Sequence, residues 1–307
     1  MTKKIKIKTK WAVIVNPNAG KTCKNHHIGK LKNLLKKYSF HFKLFITENY
    51  QHALHLSEEL VLDGYRKIIA VGGDGTINEI VNGIMNSKLN NDVILAFIPS
   101  GSGNDFVRTI GIPKNYEKAI KLIKENFQKP VDVGQLNNQY FINTLGIGFD
   151  AKIAKSANKI KFVGGILKYI LALLENLKNP ETYNLAFKTD NDLFRNETIL
   201  LSVGNGKFSG GGFPLTPEAS PFDSKADICL VSSISKFELV KSLLMVLRSK
   251  HKNHPAVDIF QAKGIEVKSD RDVDIYIDGK IPILENYRRF SIKILPKRIK
   301  IIVPKEK

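Results

Sequence analysis

Apolar positions in the first part of the chain alternate between short β-branched runs and stretches with helical spacing. Residues 67–71 form an apolar run of the kind that makes a buried strand. Directly after it, Ile77, Ile80, Val81 and Ile84 fall on one face of a helix. The same alternation predicts strands over 12–16, 40–46 and 93–98, and helices over 28–37, 52–62 and 115–127. Strands interleaved with helices predict an α/β layer with a mainly parallel sheet. The pattern changes near Lys129-Pro130. Short strands then dominate, over 131–136, 140–144, 183–188, 198–203, 228–232, 256–262, 265–268, 273–277 and 291–295, with helical interruptions at 166–177 and 236–247. This predicts a second, mostly β domain, a sandwich. The glycine-dense 204–212 and proline-bearing 214–221 make a long connection of the kind associated with function.

Chemistry enters at the junction of strand 67–71 and the helix after it. Gly72-Gly73-Asp74-Gly75-Thr76 joins the two, and Thr76 with Glu79 matches a capping box, which predicts a helix starting at Thr76. A glycine turn at a helix start lets backbone N–H groups approach a phosphate closely. It is neither a Walker A loop nor a Gly-x-Gly-x-x-Gly fingerprint. The carboxylate of Asp74 in such a cradle makes sense if it holds a metal ion or orients an attacking hydroxyl. Two further turns, Asn16-Pro17-Asn18-Ala19-Gly20-Lys21 and Pro99-Ser100-Gly101-Ser102-Gly103-Asn104-Asp105, follow other predicted strands. Parallel sheets bind ligands at the carboxyl ends of their strands, so the three turns are expected to line one crevice.

The 307 residues suit two domains or one large one. Cys23 and Cys229 lie far apart and give neither metal spacing nor a disulfide framework, which points to a reducing, cytoplasmic compartment. No apolar segment of signal-peptide length follows the basic start. The longest apolar candidate, 162–174, is interrupted by Lys168 and is shorter than the roughly 20 residues of a spanning helix. The net charge of +19 has a plain reading, solvated surface lysines, and a functional one, attraction to anionic head groups or nucleic acid. Because the lysines are scattered and no recognition helix, zinc finger or RNP signature is present, no nucleic-acid partner is expected.

The order and spacing of these motifs resemble the bacterial diacylglycerol kinase-like lipid kinases, whose catalytic domain is shared with sphingosine and ceramide kinases. Besides the three turns, Val131-Asp132-Val133-Gly134, Gly210-Gly211-Gly212, Pro217-Glu218-Ala219 and Ile277-Asp278-Gly279 carry the resemblance, which covers essentially the whole chain. It implies an N-terminal α/β nucleotide-binding domain over 1–130, like those of NAD kinases and 6-phosphofructokinases. A β-sandwich lipid-substrate domain over 131–290 would follow, with strands 291–307 returning to the first. It also implies ATP and Mg²⁺ as cofactors. ATP phosphates would sit against Asn16, Pro17, Asn18, Ala19 and Gly20 and against Gly72, Gly73, Asp74, Gly75, Thr76, Ile77 and Asn78, with Thr47 and Ser102 also touching nucleotide. Lys21 would meet phosphate, and Asp74 would hold catalytic Mg²⁺ through a water network joined by Asp132. Glu79 is a helix cap on this reading.

The family's structural metal would fall on Ser220, Asp223 and Lys225, where the usual Asp-Gly pair is Asp223-Ser224. The family's proposed base, a Glu after Asp-Gly, is here Lys280, a cation at neutral pH. Asp278, two residues earlier and on the same face of an extended strand, would replace it. Alternatively Asp74 orients the hydroxyl alone, or activity is lost or redirected. The expected function is an ATP- and Mg²⁺-dependent lipid kinase at an anionic membrane surface, held there by its basic residues and released by salt. An apolar cleft between domains would take the lipid tail, with 162–174 lining it. A non-catalytic lipid or nucleotide sensor and a kinase of a soluble substrate such as a nicotinamide dinucleotide are the alternatives. A homodimer is left open.

Overall fold

Buried strands in the first third of the chain set the architecture. The structure is a computed structural model, and it describes residues 7–20, 25–160, 163, 166–178, 180–189, 192–280 and 287–305. Contacts divide the chain into a unit of residues 1–132 with 296–307 and a second unit of 133–295.

In the first unit, strands β1 (Trp11–Val15), β2 (Phe42–Ile46), β3 (Lys67–Gly72) and β4 (Ile94–Pro99) alternate with helices α1 (Asn25–Lys37), α2 (His52–Leu62) and α3 (Asp74–Asn86), and α4 (Asp105–Thr109) and α5 (Tyr116–Glu125) follow. All of β1 and nearly all of β3 and β4 are buried, as continuous apolar runs between two helical layers must be. The sheet runs β2-β1-β3-β4 with every pair parallel, and beyond β4 lies the far end of β14 (Arg289–Ile302), through Lys300 and Ile301. Register is the functional point. Val15 lies opposite Val71, and Gly72 opposite Pro99, so β1, β3 and β4 end at one level. The three glycine turns therefore leave the sheet side by side.

Helix α3 opens at Asp74, two residues earlier than the capping-box pattern predicts. Gly73 is its N-cap and supplies no side-chain bond. Thr76 Oγ1 instead accepts from Asn16 Nδ2 (2.9 Å). The Glu79 carboxylate accepts from the N–H groups of Gln51 and Ala53 (both 3.2 Å), so it caps the start of α2. Glu79 is a helix cap, but for a neighbouring helix, and tertiary partners outcompete the local box.

The second unit is antiparallel and β-rich. After β5 (Gln128–Leu136), which enters it from the first unit, come β6 (Gln139–Phe141), β7 (Thr144–Gly148), α6 (Phe149–Lys159), α7 (Ile166–Asn176), β8 (Tyr183–Lys188), β9 (Leu193–Gly204), β10 (Ala226–Ser232), α8 (Lys236–Leu247), β11 (Val257–Ala262), β12 (Gly264–Ser269) and β13 (Ile275–Ile277). Strand β9 changes partners along its length: 193–198 pair with β8, and 200–204 with β7. That switch lets one strand serve two layers, which face each other through Leu185, Phe187, Leu201, Val203, Ile228, Val267 and Ile292. The alternation in β8 and β12 sends Tyr183, Leu185, Phe187, Ile265 and Val267 inward. A second core forms where α6, α7 and α8 cover Ile199, Leu200, Cys229 and Val231. Helices α4 and α6 are absent from the sequence reading, and the single strand expected over 140–144 is split into β6 and β7.

Candidate functional site

The three glycine turns of the first unit are bonded to one another. Asn16 ends β1 with its N–H on Val71 O (3.0 Å), and its side chain accepts from Asn18 N and donates to Thr76. The second and third turns meet at glycine: a Cβ on Gly101 would lie 2.4 Å from Gly73 Cα, so neither backbone tolerates a side chain there. Gly20, at φ +68°, is likewise pressed on Ser100, whose carbonyl a Cβ would meet at 2.1 Å. Asp74 Oδ1 accepts the N–H groups of Asp105 (2.8 Å) and Phe106 (3.2 Å), at the start of α4. Asn104 holds its left-handed turn (φ 57°) by bonding both the N–H and the carbonyl of Gly101. Desolvation raises the Asp74 pKa against the opposing pull of these N–H bonds. A divalent cation would relieve that desolvation, so the carboxylate fits the metal-holding part implied for it. The structure thus gathers Asn16, Pro17, Asn18, Ala19, Gly20, Gly72, Gly73, Asp74, Gly75 and Thr76 in one cradle.

The remaining implied nucleotide contacts are placed as follows. Ile77 and Asn78 are buried on α3. Thr47 is buried just past β2, with its N–H on Val15 O (2.9 Å). Ser102 is exposed on the third turn. Lys21 lies outside the described residues. Asp132 is fully buried and accepts the N–H of Lys297 (2.8 Å), a residue at φ 53°, so its carboxylate holds an irregular point of β14. Sequence reasoning missed Asn104, whose only signal was an Asn directly after Gly103 in a turn.

In the second unit Asp278 does not follow the extended path expected of it. Asp278 and Gly279 both have positive φ (44° and 91°), and Ile277 and Lys280 exchange backbone hydrogen bonds across them (2.7 and 2.8 Å). This is a two-residue hairpin turn of the primed kind, for which Asp-Gly is the favoured pair. The same-face argument fails because the strand reverses. The buried Asp278 carboxylate accepts three N–H groups, from Ile142 (2.7 Å), Asn143 (3.0 Å) and Thr144 (2.8 Å). Acceptor sites bound to fixed backbone donors are poor proton acceptors. Asp278 holds the segment between β6 and β7.

The loop expected to bind a structural metal keeps its turn without glycine. Ser224 takes φ 67°, and Asp223 Oδ1 accepts the N–H of Lys225 (3.1 Å). Ser220 is half-buried, and Asp223 and Lys225 are exposed. Nearby Asp227 is pushed up to about 6, by desolvation first and then by the Asp223 and Glu218 carboxylates. Among the described residues no group of three or more His, Cys, Asp or Glu side chains is placed to hold a metal. Ser220, Asp223 and Lys225 offer one side-chain carboxylate, so an ion held there would take its other ligands from backbone carbonyls and water.

A cavity of about 80 Å³ opens inside the second unit beneath α6, α7 and α8. Phe149, Ile153, Leu173, Leu200, Val231 and Val257 make its walls apolar. Of the helix expected to line a cleft, Tyr169 and Leu173 border this cavity, while Phe162 lies outside the described residues. Three buried polar atoms on its lining residues find no protein partner: Asp150 Oδ2, Ser209 Oγ and His251 Nδ1. Burial pushes Asp150 up to about 7 and lowers His251. The neutral His251 bonds Leu215 O through Nε2 (2.9 Å), which puts the proton there and leaves Nδ1 an acceptor. Sequence reasoning missed all three. An acid directly after Phe149, in the first turn of α6, was the available signal for Asp150. Among the described residues no helix is long and apolar enough to cross a membrane.

Two outcomes follow from these placements. Asp278→Ala orphans three buried N–H groups at roughly 1–3 kcal/mol each, so urea unfolding should show a loss of about 3 kcal/mol or more; a loss below about 1 kcal/mol would refute the structural role. For Asp150 the folded pKa lies above the unfolded one, so the folded state binds the proton more tightly. Its contribution to stability is largest near pH 4 and falls as pH rises through about 7. Asp150→Asn should therefore gain on the wild type between about pH 4 and 7, by at most about 4 kcal/mol. A pH-independent difference in urea midpoints would contradict the shift.

Comparison with known proteins places this geometry. A family model described as the diacylglycerol kinase catalytic domain matches residues 10–136, and one described as the YegS C-terminal NAD kinase beta sandwich-like domain matches residues 143–303. The diacylglycerol kinase of Bacillus subtilis (strain 168) is 30% identical over 297 residues, 96% of this chain and 96% of its own length. That of Staphylococcus aureus (strain Newman) is 30% identical over 269 residues, 87% of this chain and 85% of its own. A crystal structure of a diacylglycerol kinase from Bacillus anthracis str. Sterne superimposes with a TM-score of 0.78 at 27% identity, covering 96% of this chain and 97% of that one. The chain belongs to the bacterial diacylglycerol kinase-like lipid kinase family.

Proposed function

We propose that this protein transfers the γ-phosphoryl group of ATP to a hydroxyl of diacylglycerol or a related lipid, with Mg²⁺. The observation that carries the reading is the triple turn at the carboxyl ends of β1, β3 and β4, stitched together by Asn16, Asp74 and the Gly73–Gly101 approach. Glycines without side chains and the start of α3 suit a polyphosphate. The relatives' name, diacylglycerol kinase, supplies the acceptor class. The apolar cavity of the second unit supports an acceptor with a hydrocarbon part, which a soluble dinucleotide lacks.

In the reaction a lipid hydroxyl oxygen bonds to the γ-phosphorus as the bridging oxygen leaves with ADP, and the hydroxyl proton is released. A bound Mg²⁺ would supply charge neutralisation to the phosphates. Asp74 is the residue that would hold it, and its bonds to Asp105 and Phe106 fix the carboxylate in place. Asp278, occupied by three N–H groups, is not assigned the base role. Phosphoryl transfer depends mainly on positioning and charge neutralisation, so Asp74 is left to orient the hydroxyl without a dedicated base. The same occupancy of Asp278, with Lys280 beside it, also favours a second reading: a lipid- and nucleotide-binding sensor with little or no turnover.

Labelled ATP and diacylglycerol in mixed micelles with Mg²⁺ separate the two. The kinase reading predicts phosphatidate formation that Asp74→Asn lowers by about a hundredfold or more, equivalent to about 2.7 kcal/mol of lost transition-state stabilisation. ATP binding without transfer, unchanged in Asp74→Asn, would sink the kinase reading and leave the sensor.

A further inference from the structure

The loop after β2 carries an exposed aromatic ring on the side of the sheet where the topology leaves room for a ligand. In the order β2-β1-β3-β4 the chain leaves β1 toward the β2 edge, then passes back to β3 on the other side of β1. The connections after β1 and β3 therefore run apart, and the crevice outside the carboxyl ends at such a reversal is where parallel sheets take ligands. Toward β4 the protein fills that space itself, with Gly20 pressed on Ser100 and Gly101 on Gly73. Toward β2 the neighbouring strand end continues into residues 47–51, with the Thr47 N–H on Val15 O (2.9 Å).

This loop is braced. The Glu79 carboxylate accepts the N–H groups of Gln51 and Ala53, and Gln51 holds a left-handed turn (φ 64°) at one of those bonds. His52 Nδ1 accepts the N–H of Glu48 (2.9 Å), closing the loop on the start of α2. Between these anchors Tyr50 is 62% exposed. Partial burial raises its pKa first, and the charge of Glu79 raises it further, which places the phenol near that carboxylate. Glu79 lies three residues past Thr76 on α3, so the ring stands beside the helix whose start forms the cradle. Phe127 is the other exposed Phe, Tyr or Trp among the described residues of the first unit, and it lies in the link from α5 to β5. A tyrosine has only two side-chain torsions to order, and its π-face takes a flat heterocycle of any sequence-neutral kind.

We propose that Tyr50 stacks on the purine base of the nucleotide whose phosphates occupy the triple turn. This rests on the ATP reading proposed above and adds to it the residue that recognises the base. The phosphates lie on the glycine turns and the start of α3, the sugar passes toward β2, and the base lies on the Tyr50 ring. Stacking uses the face of the base and not its edge, so Tyr50 contributes affinity for the nucleoside part and nothing to the affinity for phosphate.

Titration calorimetry of the full chain with Mg-ATP and with Mg-tripolyphosphate separates the two contributions. Tyr50→Ala should weaken Mg-ATP by about tenfold and leave Mg-tripolyphosphate unchanged. Tyr50→Phe, which keeps the ring, should bind Mg-ATP as the wild type does. Because the side chain is exposed, the unfolding midpoints of both variants should match the wild type. A wild type that binds neither ligand would remove the nucleotide reading and this inference with it. Wild-type binding of Mg-ATP that Tyr50→Ala leaves unchanged would overturn the stacking role alone. Equal losses for Mg-ATP and Mg-tripolyphosphate would overturn it too, by showing that Tyr50 only orders the cradle. A loss in Tyr50→Phe as large as in Tyr50→Ala would assign the effect to the hydroxyl and overturn stacking.

Discussion

The Asp74 carboxylate receiving the N–H groups of Asp105 and Phe106 is the bond on which the first unit's site depends. It ties the turn after β3 to the turn after β4, and Asn16 ties the turn after β1 to Thr76 in the same neighbourhood. Parallel register brings the three strand ends to one level. Without these bonds, three glycine-bearing loops would pay the conformational entropy of ordering separately. With them, the cradle proposed to take phosphate is held together by the protein's own bonds. Asp74 is therefore a structural bond, and on the proposed function it would also hold the metal ion; desolvation on burial raises its pKa.

The second unit uses buried carboxylates in two different ways. Asp278 is fully furnished with backbone donors and fixes a turn. Asp150 is buried beside an apolar cavity with one oxygen left without a protein partner, and it is pushed up to about 7. A satisfied buried anion stabilises local structure, and an unsatisfied one is a cost that persists where a site uses it. The cavity's other unpartnered atoms, on Ser209 and His251, follow the second pattern. They sit among the apolar walls of that cavity, the feature on which the proposed lipid acceptor rests.

Much of this was legible in the chain. The alternation of apolar runs gave the parallel layer because strands buried on both faces are written as continuous β-branched segments. The glycine turns were visible because glycine has few other reasons to cluster at strand ends. What escaped the sequence was partner choice. Thr76 and Glu79 have capping-box spacing, yet Asn16 and the start of α2 claim them, since i, i+3 spacing cannot tell a local partner from a tertiary one. The same-face reading of Asp278 and Lys280 needs an extended path past Ile277, but Asp278-Gly279 is a strong hairpin signal and the chain reverses there.

The central claim is that the stitched turns hold the phosphates of ATP, and Gly101 tests it most directly. A methyl group there would lie 2.4 Å from Gly73 Cα, forcing the second and third turns apart while leaving the second unit's cavity untouched. Titration calorimetry of Mg-ATP against Gly101→Ala should show affinity lowered by about tenfold or more, equivalent to about 1.4 kcal/mol. Undiminished Mg-ATP affinity in a folded Gly101→Ala protein would contradict the account and move the nucleotide elsewhere.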